Sequence, residues 1–171
     1  MPLNAPYILY LDYDGVLHPD EVTRHVKYPH IRLNAPDHSL FEHVPLLDEL
    51  LDPFPLLRIV LSTSWVAAFD YYRARSKLSF ALQQRVVGAT YHTLAYDRSD
   101  FFNMTRFQQI SADLSRRAPL QWLALDNDDT LWPDSARKFL VKTPDYEGLG
   151  DIAAQTDLTS KLKRMFEPVS V

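Results

Sequence analysis

The sequence predicts an α/β fold, a mainly parallel sheet of about five strands with helices on both faces, stacked as a three-layer α/β/α sandwich. Three observations predict it. Short apolar runs at Tyr7–Leu11, Ile59–Leu61 and after Trp122 each end abruptly in polar residues. Runs of that length suit strands buried on both faces and are too short for helices with their own caps. Helical patterns alternate with these runs. Finally, the 171-residue chain is 46% hydrophobic and 23% charged, ordinary globular usage that allows a single domain over 1–171 with a sizeable core.

The first strand, Tyr7–Leu11 in YILYLDYDGVLHP, ends at Asp12. Gly15 permits a sharp turn, so Asp12 and Asp14 fall on the loop at the strand's carboxyl end, the edge where open parallel sheets bind ligands. The stretch 18–43 is polar, carries Pro19, Pro29 and Pro36, and holds His18, His25, His30, His38 and His43. A small flap or irregular insert is expected there. The histidine intervals match no compact zinc motif, so they read as solvated loop residues; His18, directly after the turn, is placed to touch a substrate.

A helix is expected over Val44–Leu51. In RIVLSTSW the second strand, Ile59–Leu61, ends in Ser62, Thr63 and Ser64, a row of hydroxyl donors, with Ser64 as N-cap of one helix over Trp65–Leu82. RVVGAT, Arg85–Thr90, is the next strand, and Thr105 caps a helix over Arg106–Ser115. WLALDNDD then ends another strand in Asp126, Asn127, Asp128 and Asp129. KFLV, Lys138–Val141, supplies the fifth strand, and Leu158–Phe166 the last helix. Trp65, Trp122 and Trp132 read as packing residues, with Trp132 also placed to stack on a base.

An Asp-x-Asp-Gly alone is as well explained by a turn. Joined to hydroxyl and acidic tips on two further strands, it reads as a phosphoryl-transfer site. In chain order and spacing these three tips resemble motifs I, II and IV of the haloacid dehalogenase (HAD) superfamily, over most of the chain. LDYDGVLHP, LSTSW and WLALDND are similar to stretches of small HAD domains in bacterial hydrolases and multi-domain RNA-repair proteins.

The resemblance implies a Rossmann-like sheet and a magnesium-dependent phosphomonoester hydrolase working through an aspartyl-phosphate. Asp12 would be the nucleophile and Asp14 the general acid and base. Ser62, with Thr63 beside it, would bind the transferred phosphoryl group. Arg106 in NMTRFQQISADL would stand in for the family's lysine, since no Lys occurs between Lys77 and Lys138. Mg2+ would rest on Asp12, Asp126 and the Asp14 carbonyl, an all-oxygen set suited to that ion. Asn127 stands where many relatives carry Asp, leaving Asp128 or Asp129 to orient a metal-bound water. The 18–43 insert corresponds to a reduced cap, which in the family accompanies large substrates; a nucleic-acid end, a nucleotide and a phosphoprotein all stay open. The alternative is a HAD-fold phosphate-binding or interaction module with little turnover, suggested by the departures at Arg106 and Asn127.

A net charge of -4 and a pI near 5.8 argue against a general electrostatic grip on nucleic acid. With no cysteine there is neither a disulfide framework nor a thiolate site, which fits a reducing cytoplasm. The apolar runs fall short of a membrane span, and MPLNAPYILYLDYDG has neither a basic leader nor a signal core. The expectation is a soluble cytoplasmic protein with a phosphorylated substrate and no membrane partner.

Overall fold

The structure, a computed structural model, describes residues 6–24 and 30–167, so His25 and Pro29 of the polar insert lie outside it. Among the described residues seven strands form: β1 (Tyr7–Leu11), β2 (Val22–Arg24), β3 (Ile31–Leu33), β4 (Arg58–Leu61), β5 (Val86–Ala89), β6 (Gln121–Asp126) and β7 (Leu140–Lys142). The helices are α1 (Val44–Leu51), α2 (Ser64–Phe69), α3 (Tyr71–Arg75), α4 (Phe80–Arg85), α5 (Arg98–Asn103), α6 (Arg106–Arg117), α7 (Asp134–Arg137) and α8 (Ile152–Phe166).

Five strands make one parallel sheet in the order β5-β4-β1-β6-β7. Period-two alternation divides its residues between two cores. Leu9 and Leu11 join Ile59, Leu61, Leu123 and Leu125 against α1 and α8. Ile8 and Tyr10 join Val60 and Ala124 against Ile110 of α6 and Trp132. One core on each face is the Rossmann-like three-layer fold, and both faces of β1 are apolar because both are covered. Each fully buried side chain of this kind contributes roughly 1.5–3 kcal/mol.

The register sets up the site. Leu11 pairs with both Leu61 and Leu125, so the residues that follow on the three strands, Asp12, Ser62 and Asp126, lie level. Backbone bonds continue past the ladder: Asp12 N–H donates to the Leu125 carbonyl at 3.1 Å and Ser62 N–H to the Leu11 carbonyl at 2.8 Å.

Several local expectations are corrected. The single helix over Trp65–Leu82 is three helices. Asp70, at φ 132°, ends α2 and caps α3 by accepting from Arg73 N–H, and Ser79 restarts the chain as the cap of α4. Thr63, not Ser64, is the N-cap of α2. The strand expected over Lys138–Val141 lies at Leu140–Lys142, because α7 occupies the residues just before it. In the insert, β2 and β3 form an antiparallel hairpin, pairing Val22 with Leu33 and Arg24 with Ile31. Trp132 is buried among Phe107 and Trp122, so it is core and no base can stack on it. The Thr105 cap forms as a full capping box with Gln108. Among the described residues no helix is long and apolar enough to cross a membrane.

Candidate active site

Asp12, Ser62 and Asp126 make the floor, each almost wholly buried at a strand tip. Arg106 opens α6, where the Thr105 box fixes the helix start and hence the direction of the guanidinium. Its Nη2 lies 3.2 Å from Asp12 Oδ2, and its Nε lies 2.8 Å from Asp126 Oδ2. One cation is therefore in ion-pair contact with both carboxylates, yet neither contact is aligned as a hydrogen bond, and Arg106 Nε and Asp126 Oδ2 are left without a hydrogen-bond partner. Burial pushes the Asp12 carboxyl well above the usual range; Arg106 opposes this, while Asp126 and Asp14 add to it. Asp126 is likewise raised by burial and pulled back by Arg106. Burial alone would lower Arg106, but Asp12, Asp126, Asp128 and Asp14 together hold it above its ordinary value. Beside this cluster the Ser62 hydroxyl is buried with no hydrogen-bond partner. The Thr63 hydroxyl accepts from Trp65 N–H at 3.3 Å, which ties it to the start of α2.

Asp14 stands on the turn that Gly15 makes possible. Gly15 has φ 74°, and a Cβ there would meet Asn127 Nδ2 at 2.4 Å, so neither the conformation nor the space admits a side chain. Gly15→Ala should lower stability by more than about 2 kcal/mol, read from denaturant unfolding. A variant within a few tenths of wild type would show that the turn can be built another way.

The Asp14 carboxylate is held from behind. Trp65 Nε1–H donates to Oδ1 at 2.8 Å, and His18 Nε2 lies 3.0 Å from the same oxygen. The Phe41 amide donates to His18 Nδ1 at 3.2 Å, so Nδ1 is an acceptor and Nε2 carries the proton toward Asp14. His18 is fully buried, edge-on to Phe41 and Trp65, and touches Asp14 where contact with a substrate was expected. Arg24, from the hairpin, donates to Ser64 Oγ and brings Nη2 to 3.9 Å from Asp14 Oδ2. Sequence reasoning missed Arg24 and the role of Trp65. Nothing in one chain reveals that a strand of the insert folds back over the first turn.

Above the floor opens a cavity of about 520 Å³ whose walls include Asp12, Asp14, Arg106, Asn127, Asp128 and Asp129. It also takes in Asp20 and Asp145, which sequence reasoning passed over. The usable signal for Asp145 was the same one that marked Asp126: an apolar strand, β7, followed by a polar loop with an acid. Asn127 donates to Asp145 Oδ1 at 3.0 Å, and Asp128 Oδ1 accepts from Thr130 N–H at 2.8 Å. Asp129 is paired with Lys142 and Arg137, whose hydrogen bonds pull its carboxyl down to about 2. Of the acids after Asp126, Asp129 is thus tied into an ion-pair network, while Asp128 keeps its second oxygen outside that turn.

The donor set fits a hard divalent cation. All the acidic wall groups offer oxygen, and Arg106 and Lys142 are the cations on a wall with several more carboxylates. Burial, together with Asp14 and Asp145, also pushes Asp20 upward, another sign of excess negative charge. Among the described residues no three His, Asp or Glu groups converge as a ready-made ion cage.

Residues 8–154 match a family model described as the HAD domain in Swiss Army Knife RNA repair proteins. No curated protein and no solved structure gives a significant match.

Proposed function

This chain belongs to the family of HAD domains in Swiss Army Knife RNA repair proteins, and from that premise we propose that it is a magnesium-dependent phosphomonoester hydrolase acting through an aspartyl-phosphate. The observation that carries this reading is the level row of Asp12, Asp126 and Ser62 at three strand tips, with Arg106 against the two carboxylates and the Ser62 hydroxyl unpartnered. It offers a nucleophile, a counter-charge and a free donor on one sheet edge, the groups that would receive an oxyanion once Arg106 turns from the carboxylates toward it. Cytoplasmic residence is part of the same reading, on the absence of cysteine.

A carboxylate oxygen of Asp12 attacks phosphorus, and the bond from phosphorus to the leaving oxygen breaks. Asp14 gives its proton to that oxygen, so an alcohol departs and Asp12 carries the phosphoryl group. Asp14, now a carboxylate, takes a proton from water as the water attacks phosphorus, which releases inorganic phosphate and restores Asp12. The Ser62 hydroxyl and Arg106 hold the phosphoryl oxygens throughout. Mg2+ on Asp12, Asp126 and the Asp14 carbonyl would screen the carboxylate nucleophile from the anionic substrate and withdraw charge from phosphorus.

The Trp65 and His18 donors, both on Asp14 Oδ1, leave Oδ2 as the oxygen that exchanges the proton. Trp65→Phe keeps an aromatic ring in the core, though a smaller one, and removes one donor. It should lower kcat about tenfold with KM nearly unchanged, as expected when a catalytic group loses its orientation. An equal loss in KM would mean that the ring serves binding instead.

The experiment that tests the reading is phosphate release from nucleotides, oligonucleotides with 3′ or 5′ phosphate and phosphopeptides, with and without magnesium. Magnesium-dependent release supports the hydrolase; silence across the whole panel would favour a phosphate-binding module.

A further inference from the structure

A second recess of about 210 Å³ adjoins the reaction cavity. The two share Ser64, Arg106, Asp128 and Thr130 as a common wall. Beyond that polar wall the lining changes character, to Phe101, Phe102 and Met104 at the end of α5. Phe102 is 45% exposed, while Phe101 behind it is buried and meets it edge-on with ring centroids 6.2 Å apart. A half-exposed phenyl ring held against a buried one, lining a recess next to a reaction cavity, can serve as a stacking platform.

This shelf is mechanically joined to the reacting centre. Arg106 Nη1 donates to Gln109 Oε1 at 3.2 Å, and the Gln109 amide donates to the Phe101 carbonyl at 3.0 Å and the Met104 carbonyl at 3.4 Å. Gln109 is itself buried, one helical turn after Arg106. The guanidinium that faces Asp12 and the backbone that carries the aromatic shelf thus hang on one side chain.

Resting on the phosphatase reading above, we propose that this recess is the subsite for the organic half of the substrate, and that this half is a nucleoside. Moving outward, the chemistry runs from a phosphate floor, through a wall of hydroxyl, carboxylate and guanidinium groups, to an apolar aromatic shelf. A phosphate, a hydroxyl-bearing sugar and a flat base follow the same order. The ring-stacking role falls to Phe102 and not to the buried Trp132.

The test is calorimetric binding of a nucleoside monophosphate, a short oligonucleotide with a terminal phosphate, ribose 5-phosphate and a phosphoserine peptide to the Asp12→Asn protein, with Phe102 intact, as Phe102→Ala or as Phe102→Tyr. Phosphate release by the same position 102 series on an intact Asp12 is measured alongside. The nucleotide should bind at least about fivefold more tightly than ribose 5-phosphate, the lower end of what stacking of one base supplies. Phe102→Ala should erase that difference, Phe102→Tyr should keep it, and ribose 5-phosphate should be indifferent to both. Tighter binding of the oligonucleotide would assign the base to a nucleic-acid end, and equal binding to a free nucleotide. Equal losses for ribose 5-phosphate and nucleotide, no loss for either, or preference for the peptide would overturn the subsite. Ring-dependent binding without phosphate release from any substrate would fail the hydrolase reading and leave the subsite standing; release with ring-independent binding would do the reverse.

Discussion

Replacing Asp12 by Asn should reduce phosphate release by at least about a thousandfold, the scale on which loss of a covalent nucleophile is felt. The fold should survive. Asn has nearly the shape of Asp, and the carboxylate it replaces is one that burial holds above its usual range. A carboxyl whose folded-state pKa is raised withholds stability at every pH above its unfolded pKa, and the penalty grows until the folded pKa is passed. Removing it should leave neutral-pH stability equal or higher. Phosphate release and thermal unfolding, measured on the same preparation, check both halves. Wild-type turnover in the variant would end the aspartyl-phosphate mechanism.

Arg106→Met should have the largest effect on stability. Asp12 and Asp126 would then be left buried together without their shared cation. Breaking a buried pair from one side typically costs about 3–5 kcal/mol. The sign with pH follows from the same carboxyls. Without Arg106 both would rise further, so the folded state would hold protons that the unfolded chain releases, and the deficit should shrink as pH falls toward the unfolded carboxyl range near 4. Denaturant unfolding from neutral to mildly acidic pH measures it. A deficit that stayed constant with pH would mean that Arg106 acts through packing alone. Arg106→Lys should recover only part of the loss, because one ammonium is a single point charge where two guanidinium nitrogens reach two carboxylates.

Much of this was readable from residues because strand tips in a parallel sheet converge on one edge. Tyr7–Leu11 matched β1 to the residue, and the runs ending at Leu61 and Asp126 delivered Ser62 and Asp126 to the level of Asp12. Arg106 was singled out by the resemblance, and the helix start that carries it was legible in Thr105, which the structure shows capping that helix. What failed were decisions made by tertiary geometry. The span Trp65–Leu82 looks helical throughout, yet Asp70 and Ser79 each accept from a downstream amide and restart the chain. His18 was expected to touch a substrate and is instead fully buried against Phe41, bonded to Asp14. The hairpin escaped notice because three-residue strands leave too few alternations to register as a pattern.

The sheet order carries one more consequence. With β1 innermost, opening the reacting floor requires peeling away β4 or β6, whereas the hairpin and the α5 shelf hang on it by side-chain contacts. Amide exchange should therefore be slowest at Ile8–Leu11 and fast in β2, β3 and α5. In a molecule graded this way the reacting floor stays closed while the surfaces that meet a substrate breathe, so the periphery yields to an incoming molecule and the chemistry beneath it keeps its shape.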